Sequence, residues 1–348
     1  MNQYFISIIF FLFMIQSYSQ AENKIDYYET GELKLKGIIV DGKKSGIWTY
    51  YFRNGQIKTE ESWNDGKRDG IDRYYYEGGQ LKIEESWING QRSGIYKEFN
   101  KEGQLRQEGL YDNFMKTGPW KYYQNGQLLT EGNFKEDLRH GSWKYYKNQV
   151  LRKEDFFIDN QGEGLSKSYN ENGNLIEEVT FKENLEDGIY KLYYDNGQLK
   201  ECGVWRPMKQ KEGTWNWYYI NGQLKEEARF KEGKINGVFN SYYENGILSS
   251  QGSYIDGQKN GIWKEYYRNG KVKSEEIWEY GQENGAWKEY TSKGQLSAEG
   301  IVKSDKPHGI ERFYHEDGNI WIERIYKEGN LVKISCWDKD GNKKKCTK

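Results

Sequence analysis

The run Val272-Lys273-Ser274-Glu275-Glu276-Ile277-Trp278 alternates apolar and polar positions, with Val272 and Trp278 on one face and Lys273 and Glu275 on the other. That period of two is the signature of a half-buried strand. It follows a second strand-like run, Gly261-Ile262-Trp263-Lys264-Glu265-Tyr266-Tyr267, across the turn Arg268-Asn269-Gly270. An Asn-Gly turn between two such runs predicts a β-hairpin. A further turn, as in Asp256-Gly257, leads from one hairpin to the next.

The pattern recurs along the chain. The Asn-Gly-type turn glycine stands at Gly31, Gly55, Gly79, Gly103, Gly126, Gly173, Gly197, Gly222, Gly246, Gly270, Gly294 and Gly318, at spacings of 24, 24, 24, 23, 47, 24, 25, 24, 24, 24 and 24. The 47 spans two periods, with Gln149 in place of the missing glycine. A fixed period of this size means one supersecondary unit copied and stacked. Four residues before each glycine stands an aromatic (Tyr51, Phe99, Tyr122, Tyr266), and two after it an aliphatic (Ile57, Leu105, Leu128, Val272). A three-residue loop with Gly in the left-handed conformation sets these two opposite each other, so an aromatic–aliphatic ladder is expected to form the core.

Three residues before the glycine the rule relaxes to Tyr, Phe, Asn, Thr or His. This position points away from the ladder. It nominates Tyr76, Tyr123, Tyr194, Tyr219, Tyr243 and Tyr267 as a candidate binding surface, against the plainer reading that they cover the back of a thin sheet. Two places break the period, residues 147–172 and 206–212, the latter carrying an extra residue and a proline. Bends or bulges are expected at both. The fold class predicted is all-β, an elongated single-layer antiparallel sheet of stacked hairpins. Its length would be on the order of 120 Å at ~4.8 Å per strand.

Composition adds three limits. With 52 Lys+Arg against 53 Asp+Glu there is no net field to gather nucleic acid or an anionic membrane, so neither is expected as a partner. Residues 1–20 carry no charged side chain, and Tyr4–Ile15 is an apolar run too short to span a bilayer. With Ser17 and Ser19 before Ala21, it reads as a signal peptide, which places the chain in the periplasm, at the cell surface or outside the cell. The array then covers residues 21–329, about 12–13 copies, and residues 330–348 form a capping hairpin. There Cys336 and Cys346 flank a turn and are placed to meet in a disulfide, while Cys202 is left over.

No chemistry emerges. His140 and His308 are equivalent turn positions seven periods apart, no Cys-x-x-Cys is present, and the glycines are turn glycines. Asp338-x-Asp340-Gly341 starts like a calcium loop, but its twelfth position falls beyond residue 348. No catalytic, metal or cofactor site is expected, and the chain is read as not an enzyme.

The recurring Gly-x-Trp-Lys-x-Tyr-Tyr-x-Asn-Gly-Gln-Leu-Lys-x-Glu-Gly, clear at 118–132 and 261–276, resembles the MORN repeat variant, in particular that of bacterial YwqK-type antitoxin-like proteins. The resemblance covers nearly all of 26–330. It implies stacked hairpins in one antiparallel sheet and a role in protein–protein contact. The expectation is an exported, non-enzymatic scaffold for an unknown protein partner, with glycan binding through exposed aromatics as the alternative.

Overall fold

The computed structural model describes residues 20–346, and every regular element among them is a β-strand. The chain divides into two compact units, Met1–Leu138 and Arg139–Lys348. The predicted signal peptide lies outside the described residues, apart from Gln20.

Each unit is an antiparallel meander of hairpins. In the first, Lys43–Tyr51 pairs with Ile57–Asn64 and Gln91–Phe99 with Leu105–Asp112. In the second, Gln258–Tyr266 pairs with Val272–Glu279 and Lys306–Tyr314 with Ile320–Lys327. Most x-Asn-Gly turns are three-residue loops, as where Phe52 N–H donates to the Gln56 carbonyl and Gly55 N–H to that of Phe52. Gly55 sits at φ 82°, a conformation that favours glycine. The predicted aromatic–aliphatic pairs follow, among them Tyr51↔Ile57, Phe99↔Leu105, Tyr218↔Leu224 and Tyr266↔Val272.

That ladder is only half-buried, however, and it is not the core expected of it. The deepest column lies on the other face, two residues after the glycine that follows each Asp-Gly-type turn. Trp48, Asp72, Tyr96 and Trp120 fill it in the first unit, and Trp143, Ser166, Trp215 and Trp263 in the second. A local kink makes the space. Ser253 pairs with Asn260 and Gln251 with Lys264, so Gly261-Ile262-Trp263 bulges opposite the single residue Gly252. Gly261 takes φ 85° to turn the strand. The indole then lies flat on Gly252, and a Cβ on Gly252 would come within 2.2 Å of the Trp263 ring. Gly37, Gly109 and Gly203 receive Trp48, Trp120 and Trp215 in the same way. Each indole N–H donates to the carbonyl just after its glycine, at 3.0–3.2 Å: Trp48 to Ile38, Trp120 to Leu110, Trp215 to Val204, Trp263 to Ser253. Rings of successive repeats stack, as Tyr96 on Trp120 and Phe239 on Trp263, both at 5.8 Å.

The two irregular places resolve inside turns. At 147–150 the hairpin closes on two residues, Asn148 and Gln149, both at positive φ, with Lys147 paired to Val150. The hairpin at Asn125-Gly126 does the same. At 206–212 the extra residue makes a three-residue turn, Pro207-Met208-Lys209, and Arg206 still pairs with Gln210. The strands on either side carry the same register shifts as other repeats, and the ladder resumes in their register. The chain closes with Asn330–Trp337 and a Cys336–Cys346 disulfide, the Cα atoms 5.3 Å apart.

Candidate interaction faces

On the tryptophan face, a cation stands four residues before each buried ring in most repeats and lies against two aromatics at once. In the first unit, Lys44 Nζ is 4.3 Å from the Trp48 ring and 4.4 Å from Trp63. Arg92 is 4.9 Å from Tyr96 and 4.4 Å from Tyr111, and Lys116 is 4.1 Å from Trp120 and 5.2 Å from Phe134. In the second, Lys211 is 3.9 Å from Trp215 and 5.4 Å from Phe230, and Lys259 is 4.3 Å from Trp263 and 4.5 Å from Trp278. Partly desolvated cation–π contacts of this kind contribute roughly 1–2 kcal/mol each. Burial also lowers the Lys116 ammonium below its ordinary range.

In two repeats a carboxylate, Asp72 or Glu311, takes the tryptophan's place in the column. Asp72 is fully buried; it accepts from Ser62 N–H at 2.7 Å and lies 3.0 Å from Arg68 Nη1. Arg68 also meets Glu61 at 2.6 Å, and Arg92 grips Glu85. Burial, opposed by the Ser62 and Arg68 contacts, pushes the Asp72 carboxyl up to about 6.

The opposite face carries Lys and Glu pairs such as Lys264–Glu275 at 2.7 Å and Arg73–Glu84 at 2.9 Å. Between them, at the residue between the kink glycine and the buried ring, eight repeats carry an exposed aliphatic, while the others have Pro119, Ser142, Thr214 or Ala286 there. This row is Ile47, Ile71 and Ile95 in the first unit, and Leu165, Ile189, Val238, Ile262 and Ile310 in the second; Ile47 and Ile262 are 63% and 60% exposed. Shallow hollows open beside it, one of about 340 Å³ at Ile95, Leu110 and Pro119 and one of about 430 Å³ at Ala286, Ile301 and Ile310.

The tyrosines nominated from sequence are placed otherwise. Tyr76, Tyr194, Tyr219, Tyr243 and Tyr267 are half-buried, and each hydroxyl donates to a backbone carbonyl of the next repeat, at 2.7–2.9 Å: Phe99, Tyr218, Tyr242, Tyr266 and Tyr290 in turn. Cations cover some of the rings, as Lys82 does Tyr76 and Arg268 does Tyr243. They are struts between hairpins. Tyr123 belongs to another set. Because its hairpin has a two-residue turn, Tyr123 and not Tyr122 pairs with Leu128. Its hydroxyl donates to Glu108 at 2.8 Å, as Tyr75 does to Glu60 and Tyr193 to Glu178. Burial, aided by these carboxylates, lifts all three hydroxyls to about 12.

The residues that sequence reasoning passed over are the cations and the exposed aliphatics. Both were signalled by the same 24-residue spacing, read at offsets other than the turn.

Among the described residues no group of three His, Cys, Asp or Glu is placed to hold a metal. The Asp338–Asn342 turn is a further hairpin loop, its carboxylate accepting from Asn342 N–H at 2.8 Å.

The MORN repeat variant profile matches residues 44–65, 68–89, 92–113, 116–136, 162–183, 186–205, 211–232, 235–256, 259–279 and 307–328, more than half of the chain. The chain belongs to the MORN repeat variant family. The MORN array is therefore a repeat scaffold, of a kind suited to protein or membrane interaction. The stretches 139–161 and 282–306, outside the matches, fold as hairpins of the same kind. Comparison with curated proteins finds no match. Among solved structures, the chain is similar to the crystal structures of TcdB2-TccC3 (12% identity, 93% of this chain, 17% of that one, TM-score 0.19) and of TcdB2-TccC3-Cdc42 (12%, 90%, 22%, TM-score 0.17). The chain thus spans about a fifth of their length, and likeness at this level carries no argument.

Proposed function

We propose that the MORN array is an exported, non-enzymatic scaffold that binds another protein along the aliphatic row. The row carries the reading. An aliphatic residue between 40% and 63% exposed at the same place in eight repeats does little packing for its own hairpin, and recurrent apolar exposure rimmed by charge marks an interaction surface. Export is supported by the uncharged, apolar first twenty residues and by a first strand that begins at Ala21. The narrower YwqK-type, antitoxin-like reading rests on the motif alone. Glycan binding loses its specific support, since the tyrosines it relied on are engaged by their neighbours.

The test is a cross-linking pull-down from the cell envelope with the tagged mature chain and with a variant carrying Ile47→Lys, Ile71→Lys and Ile95→Lys. The variant should melt within a few degrees of the parent, because the side chains are exposed. One protein enriched by the parent and lost with the variant is the expected result. Equal capture by both, or retention on peptidoglycan alone, would overturn the proposal.

A further inference from the structure

Two repeats of the second unit lack both the buried ring and the cation: one has Glu311 and Pro307 at these positions, the other Ser166 and Gly162. In the latter, Ser166 stands where Trp143 and Trp215 stand in other repeats, and Gly162 where Arg139 and Lys211 stand. Among the described residues, no other copy has a residue without a side chain at the cation position. The result is a cavity of about 160 Å³ bordered by Phe157, Phe181, Asp155, Glu163 and Ser166.

We propose that this cavity is a binding site for an organic cation, an ammonium or guanidinium carried on an aliphatic stem. The chain itself shows the occupant the place is shaped for. In the equivalent space Lys211 lies 5.8 Å from Trp205 and 5.4 Å from Phe230, and Arg68 5.7 Å from Trp63 and 5.0 Å from Trp87. Phe157 and Phe181 are the counterparts of those two rings. Phe157 already receives Arg139 at 3.9 Å, and Trp63 shows that one ring serves two cations, being 4.4 Å from Lys44 as well as 5.7 Å from Arg68. The charge also fits. Asp155 accepts Ser166 Oγ at 2.6 Å and meets Lys153 Nζ at 2.9 Å, and Glu163 accepts from Glu183 N–H at 2.9 Å. Among the residues that line the cavity, two carboxylates stand against one ammonium, with Arg139 on the Phe157 ring outside that lining, so the wall itself is net negative beside two rings, the pairing that attracts a cation. The volume suits one side chain and no larger ligand. Two sources share this chemistry, a basic side chain of a protein and a small free amine. The inference is independent of the aliphatic row, which lies on the other face.

The rung can be closed from within. The Gly162 N–H is held by Asn184 Oδ1 just as Arg139 N–H is held by Asn160 Oδ1, so an arginine fits that backbone. A Cβ at Gly162 meets only the Asn184 amide oxygen at 3.3 Å, with the next atom at 3.9 Å. Calorimetric titration of the full mature chain uses N-acetyl-arginine methylamide, agmatine and the neutral N-acetyl-citrulline methylamide. Saturable binding of a cationic probe, at least tenfold tighter than the citrulline analogue and weakened by salt, is expected. Tighter binding of the arginine amide than of agmatine assigns the site to a protein side chain, and the reverse to a free amine. Gly162→Arg should melt no lower than the parent and lose binding at least tenfold. Phe181→Ala, which leaves the cavity open, should do the same to binding and serves if the arginine variant misfolds. No binding of either cation, equal binding of the citrulline analogue, or unchanged binding in the variants would overturn the proposal.

Discussion

Gly203 has no room for a methyl group: the Trp215 ring covers the point its Cβ would occupy, 2.2 Å from the nearest ring atom. Both residues sit in rigid surroundings, the glycine in a paired strand and the indole fully buried with its N–H engaged. Gly203→Ala is therefore expected to destabilise by about 1–3 kcal/mol or more, read as a lower urea midpoint at unchanged slope. Ala228, on the other side of Trp215, tolerates a methyl, so Ala228→Gly provides the contrast and should act only through backbone freedom. Asp72 makes a second prediction at this scale. Its carboxyl titrates near 6 in the fold and near 3.8 in the unfolded chain, so between those values the folded state holds the extra proton. Stability that is present below pH 4 is then lost as pH rises through 6, by at most on the order of 3 kcal/mol. Asp72→Asn should flatten that slope. Melting curves from pH 4 to 7 that stay parallel for both proteins would count against it.

At the scale of the element, turns decide which side chains meet. A three-residue loop pairs the aromatic four before the glycine with the aliphatic two after it. The two-residue turn at Asn125-Gly126 moves the pairing to Tyr123, three before. Hairpins, their two kinds of turn and the Tyr–Leu register were all legible, since Asn-Gly and Asp-Gly fix local geometry with little help from outside. The 23-residue spacing already marked the shortened turn, but only the paired strand shows that Tyr123 changes place. Burial was less legible. A sheet one layer thick offers two faces of equal alternation, and the deep face is chosen by a kink and a ring-on-glycine contact between neighbouring hairpins. The Tyr219 hydroxyl bridges such neighbours through the Tyr242 carbonyl, so Tyr219→Phe should cost about 0.5–1.5 kcal/mol. Pro207-Met208-Lys209 holds two non-glycine residues at φ 64° and 57°, with Met208 82% exposed. Replacing the three by Asn-Gly restores the turn used elsewhere and should raise the urea midpoint, by on the order of 1 kcal/mol. A fall would mean that the longer turn has a role in binding or packing.

For the whole molecule, the hairpins of each unit touch mainly their sequence neighbours, so damage should spread by neighbour coupling and fade with distance. Removing the Trp215 ring is expected to cost about 3–5 kcal/mol locally. In hydrogen exchange read by mass spectrometry, Trp215→Ala should deprotect Leu199–Arg206 and Leu224–Lys231 while Ile320–Lys327 keeps its protection. Uniform loss across residues 139–346 would instead show a single cooperative unit. Reduction of Cys336–Cys346 should likewise loosen only the last hairpin.

The indole-on-glycine contact also says where such a gene can be cut. The segments recognised as repeats, such as 44–65 and 211–232, begin just after an Asp-Gly-type turn and so part each tryptophan from the glycine beneath it. The pair travels together only when the breakpoints fall in the Asn-Gly loops, as Gly203 and Trp215 do between Gly197 and Gly222. Copy number should therefore change by recombination at those loops. A crossover in the other turn can set a ring on a larger residue, and the chain shows how that is met: Tyr96 pairs with Glu85, and Trp287, beyond the Glu275–Lys288 pair, is only half-buried.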